Sequence, residues 1–83
     1  MEKIEFKMKE IERCLMDLAN SGIYPDINMD ELKEMLDMPE EFDIKPSELV
    51  DNYMFDIDNI KDDIVRLYNL LDKLQDLLYD KDL

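Results

Sequence analysis

Apolar residues recur along this chain at alternating spacings of three and four, the rhythm of helices that bury one side. In the first segment the recurring positions are Ile4, Met8, Ile11, Leu15 and Leu18, which predicts a helix over about residues 2–20. Its stop is marked by Gly22, the one glycine of the chain, placed where a left-handed residue closes a helix, with Pro25 just beyond. Glu5 with Lys9, Glu10 with Arg13 and Arg13 with Asp17 stand three or four apart and leave this helix nearly neutral. A second, shorter helix over about 29–37 is predicted from Asn28 as N-cap, Glu31 three residues on, and Met29, Leu32, Met35 and Leu36 along one side. Pro39 ends it, and Pro39-Glu40-Glu41-Phe42 suggests a separate single turn before the next element.

From Pro46 onward the apolar positions are Val50, Tyr53, Ile57, Ile60, Ile64, Leu67, Leu71, Leu74 and Leu78, in unbroken alternation. A continuous helix over about 46–80 would be about 50 Å long at 1.5 Å per residue, whereas a globule of this size has a radius of gyration of about 12 Å. Two outcomes follow. A break at Asp56-Ile57-Asp58-Asn59, residues of weak helix propensity, gives a compact four-helix bundle. An unbroken helix instead leaves its heptad seam for another chain, in a homodimer or an adaptor assembly. The seam crosses the suspected break in register, which favours the continuous helix, while Leu49, Leu70 and Leu77 widen the stripe towards a bundle. The expected fold is therefore all-α: a single domain over residues 1–83, a bundle of three or four helices with a long C-terminal amphipathic helix.

Composition narrows the chemistry. The chain has 83 residues with 46% apolar content, enough to fold as one small domain with little core to spare. It contains no histidine, the commonest general base and metal ligand, and its lone Cys14 reads as a small apolar residue beside the helix stripe. Adjacent carboxylates such as Asp62 with Asp63 or Glu40 with Glu41 fall on polar helix sides, where nothing shifts them towards acid–base work. Asp26, Asn28, Asp30, Glu34 and Asp37 match positions 1, 3, 5, 9 and 12 of a calcium loop, but the glycine required at position 6 is Glu31. Helix capping and a solvated helix side explain those residues better. No catalytic, metal or cofactor site is expected. Of the seven methionines, Met16 and Met38 lie off the stripes and are candidates for exposure. Charges interrupt the apolar N-terminal residues and every window long enough to cross a membrane, so a cytoplasmic protein is the expectation.

The strongest compositional feature is acidity. Lys and Arg number 10 against 23 Asp and Glu, a net charge of −13. Twelve of those thirteen excess negative charges lie after residue 20. This field repels nucleic acid and anionic membranes, and draws in basic protein surfaces. On the C-terminal segment, the face opposite the seam reads Asp51, Phe55, Asp58, Asp62, Val65, Asn69, Asp72, Asp76 and Tyr79. Carboxylates one helical turn apart stand about 6 Å from each other, similar to successive phosphates of one strand. The expected partner-binding face thus combines Asp51, Asp58, Asp62, Asp72 and Asp76 with Glu34, Asp37, Glu40 and Glu41, and takes Phe55, Val65 and Tyr79 as apolar contacts. An acidic surface that only confers solubility is the plain alternative, but a small domain needs a net charge of only about 2–8 for that. In size, charge and helicity the chain resembles phage-encoded inhibitors of host defence, anti-CRISPR proteins among them, without a motif of any particular family. That resemblance implies a larger, basic, nucleic-acid-binding protein as partner, in the host cytoplasm.

Overall fold

The computed structural model describes residues 2–82, and these are all-helical. Four α-helices, α1 (Glu2–Asn20), α2 (Met29–Asp37), α3 (Pro46–Ile57) and α4 (Val65–Asp82), are joined by short connections that include two 3₁₀ turns, Pro39–Glu41 and Asp58–Ile60. Facing residues set their directions. Arg66 at the start of α4 reaches Asp17 near the end of α1, and Lys33 on α2 reaches Glu12 on α1. Pro46 shares a surface depression with Met35 and Lys81, which places the start of α3 beside the ends of α2 and α4. The helices therefore alternate up, down, up, down, with α4 packed against both α1 and α3.

Local chemistry fixes the ends. At the end of α1 the Ile23 N–H donates to the Leu18 carbonyl (2.9 Å) and the Gly22 N–H to that of Ala19 (3.0 Å). This is a Schellman closure, and it holds Gly22 at φ +82°, which a side chain would resist. Asn28 caps α2, its side chain accepting from the Asp30 N–H at 3.0 Å. Pro39 opens the first 3₁₀ turn and Pro46 opens α3, each where the missing N–H has no helical partner to lose.

The core draws on every helix: Ile4, Met8, Ile11 and Cys14 from α1, Met29, Leu32 and Met35 from α2, and Leu49, Val50, Tyr53 and Ile57 from α3. Ile64 and α4 supply the rest with Leu67, Leu70, Leu71, Leu74 and Leu78. Burial pushes the Cys14 thiol above its ordinary range, consistent with a packing role. The continuous C-terminal helix expected from the heptad rhythm is not what forms. α3 ends at Ile57, and α4 starts at Val65 and runs back alongside it. The seam thus folds onto itself, and Val50, Tyr53, Ile57, Ile64, Leu67, Leu71, Leu74 and Leu78 are buried within one chain. Magnitudes explain the choice: burying a large aliphatic side chain contributes about 1.5–3 kcal/mol, while each helical hydrogen bond given up in a short break costs about 1 kcal/mol. Ile60, counted with the seam, instead lies in the break and is 38% exposed. The reversal has its own bonds, from the Asp63 N–H to the Ile60 carbonyl (2.9 Å) and from the Ile64 N–H to the Lys61 carbonyl (3.2 Å). Asp62 and Asp63 then precede the N-terminus of α4, where negative charge is favoured.

Candidate functional site: an acidic surface with exposed aromatics

Every acidic residue of the expected partner-binding face is exposed: Glu34, Asp37, Glu40, Glu41, Asp51, Asp58, Asp62, Asp72 and Asp76. So are the three apolar contacts, with Phe55 82%, Val65 52% and Tyr79 50% exposed. Met16 and Met38 are exposed as well. The fold does not hold the nine carboxylates on one straight face. Because α3 and α4 run in opposite directions, the row read from Asp51 to Tyr79 is bent into a hairpin, with Asp58 and Asp62 at its turn. Asp51, Phe55 and Asp58 come together with Asn52, Met54 and Tyr68 around one shallow depression between α3 and α4. Along α4, Val65, Asn69, Asp72, Asp76 and Tyr79 keep their spacing on the exposed side. The α2 carboxylates are elsewhere. Asp37, Glu40 and Glu41 sit where α2 gives way to α3, at the end of the bundle opposite Asp58 and Asp62.

Little of this charge is neutralised locally. The ion pairs among the described residues are Lys7–Glu10 (2.8 Å), Lys33–Glu12 (2.7 Å), Lys61–Asp58 (3.4 Å) and Arg66–Asp17 (3.3 Å). Only Asp58 of the nine site carboxylates takes part in one. Two of the four pairs belong to α1 or bind it to α4, and a third ties α1 to α2, so the paired acids are mostly those of the neutral N-terminal helix. Such exposed pairs contribute about 0–1 kcal/mol each. Glu12 holds Lys33 in its charged form and raises its pKa.

Sequence reasoning missed Tyr68 and Lys61. The Lys61 ammonium stands 5.7 Å from the centre of the Tyr68 ring while it pairs with Asp58. Their separation of seven along the chain is a helical spacing, with Lys61 in the reversal and Tyr68 in the first turn of α4. The structure puts the calcium-loop residues to other uses, with Asn28 as a cap and Asp26, Asp30, Glu34 and Asp37 exposed. No group of three or more His, Cys, Asp or Glu among the described residues is arranged to hold a metal ion. No helix among them is long and apolar enough to cross a membrane. No family model, curated protein or solved structure matches this chain.

Proposed function

We propose that this protein is a small, non-enzymatic inhibitor that docks on a basic, nucleic-acid-binding surface of a larger protein and occupies the place of the phosphate backbone. The observation that carries this reading is the uncompensated exposure of the acid: nine site carboxylates face solvent and one of them has a cationic partner. Thirteen net charges on a molecule 36 Å long and 23 × 21 Å across come to one per ~2.8 Å of length. That lies between the ~1.7 Å of a duplex and the ~3.4 Å of a single strand. Phe55, Val65 and Tyr79 supply desolvated contact between charges, as an anchor in a protein interface does. The site of action is the cytoplasm, the host's if the chain is phage-encoded. Self-assembly through the Val50–Leu78 seam is the less favoured reading, because all of those side chains except Ile60 already pack within one chain.

Affinity capture from a host lysate at low salt, with nucleic acid then offered as competitor, tests the proposal. The expected result is a partner released by nucleic acid, with affinity falling by about tenfold or more between about 50 and about 200 mM salt. A captured partner that keeps its own nucleic acid bound, or an affinity indifferent to salt, overturns it.

A further inference from the structure

α1 and α4 lie side by side in opposite directions, and the outer rims of the two helices carry matching rows. Along α1 the row is Lys3, Phe6, Glu10, Arg13 and Asp17; along α4, followed backwards, it is Asp80, Leu77, Lys73, Leu70 and Arg66. Both step by three, four, three and four residues, which keeps each row on one side of its helix. Two contacts fix the level at which the rows face each other. Arg66 pairs with Asp17 at 3.3 Å, and Leu77 lines one shallow depression together with Lys3 and Phe6. A neighbouring depression joins Lys3 to Leu77 and Asp80. On this register Lys3 stands level with Asp80, Glu10 with Lys73, Asp17 with Arg66, and the aromatic Phe6 with the aliphatic Leu77. Arg13 is the exception, level with the buried Leu70.

A face built in this way is complementary to itself. A two-fold axis parallel to the helices, above the groove between them, sets α1 of one copy over α4 of the other and leaves the height of every residue unchanged, so each pairing across the groove recurs across the interface. Phe6, 66% exposed, and the half-buried Leu77 then meet their counterparts in one apolar cluster, flanked by quartets of alternating charge. The charge distribution selects this side. It holds Lys3, Lys7, Arg13, Arg66, Lys73 and Lys81, six of the ten cations, against Glu2, Glu10, Asp17 and Asp80, four of the 23 acids. A second copy is therefore not repelled here, as it is elsewhere on the molecule, and the alternation of sign suits a copy better than a uniformly acidic or basic partner. The long sides measure 36 Å by 21–23 Å, comparable with the about 800 Å² per partner of a stable interface. We propose that the α1–α4 face is the interface of a two-fold symmetric homodimer. It uses none of the buried seam, leaves the acidic residues of α3 uncovered, and does not rest on the docking reading.

Sedimentation velocity and light scattering of the intact protein test it, at about 0.15 M salt, where repulsion beyond about 8 Å is screened. The expected result is a dimer that dissociates on dilution. Phe6→Asp and Phe55→Asp each add one negative charge in place of an exposed aromatic ring; the first should weaken dimerisation about tenfold or more, and the second should stay within about twofold. Glu10→Lys reduces the overall negative charge, yet should weaken dimerisation about fivefold, and adding Lys73→Glu should restore it to within about twofold. The register is read by mixing chains that carry Glu10→Cys with chains that carry Lys73→Cys: a disulfide is expected between unlike chains, while the buried Cys14 stays out of reach. Unchanged melting curves verify that each variant folds. A single-chain mass up to about 1 mM protein, equal effects of the two aromatic substitutions, no rescue by the double exchange, or cross-links only between like chains overturns the interface. None of these outcomes touches docking on a basic partner, which capture and competition by nucleic acid decide separately.

Discussion

The Tyr53 hydroxyl donates to the carbonyl of Asn28 at 2.9 Å and joins α3 to the N-terminus of α2. Burial, with the Glu31 carboxylate nearby, pushes its pKa up to about 12 from the ordinary 10. The neutral phenol is therefore the form that folding favours. Its contribution to stability is complete below pH 10 and is lost as pH rises through about 12, because there the unfolded chain releases the proton first. Chemical denaturation at pH 8, 10 and 11.5 should show a steeper alkaline loss for the native chain than for Tyr53→Phe, which itself costs about 1 kcal/mol at neutral pH. Parallel pH curves for the two proteins would exclude this role. Gln75 is the other polar group of note. It is buried on α4 with its Nε2 donating to the Tyr79 hydroxyl (3.3 Å) and its Oε1 without a hydrogen-bond partner among the described residues. The Tyr53 contact was not legible in the sequence, since its partner lies on another helix, whereas Gln75 and Tyr79 stand four apart on α4 and only the burial of Gln75 required the helices to dock.

At the scale of the elements, helix type and most boundaries follow from local signals. The α1 stop at Gly22, the Asn28 cap, the 3₁₀ turn at Pro39 and the α3 start at Pro46 each satisfy backbone groups within a few residues of the signal. The reversal at 58–64 is different, because Asp58 and Asn59 only weaken a helix and do not forbid one. What settles it is burial of the two halves of the seam against each other, an effect spread over residues as far apart as Val50 and Leu78. Two substitutions separate a folded-back seam from a continuous one. Leu67→Asp places a charge in a fully buried site and should cost more than about 5 kcal/mol, enough to abolish helicity by circular dichroism. Ile60→Asp, outside the core, should stay within about 0.5 kcal/mol in urea denaturation. A continuous seam would make the two equally disruptive.

For the whole molecule the net charge of −13 acts against the compact state. Most charges are closer together than the Debye length of about 30 Å at 0.01 M salt but not than the roughly 10 Å at 0.1 M, given an extent of 36 Å. The melting temperature should therefore rise by several degrees as salt increases from about 0.01 to about 0.1 M, whereas affinity for a basic partner falls over the same range. A melting temperature that drops with salt would mean that the four ion pairs outweigh the repulsion.

The sequence by itself determined that this chain is helical, where most helices begin and end, which residues are apolar enough to be core, and that its surface is strongly acidic. These are properties of single residues and of neighbours within a turn, set by propensity, capping and periodicity. Only the tertiary structure decided that the seam closes on itself, that the acidic row is bent into a hairpin, and that Lys61, Asp58, Phe55 and Tyr68 share one surface. A periodic stripe states that a face will be buried and is silent about what buries it. That choice belongs to the total apolar area removed from water, which depends on the whole chain.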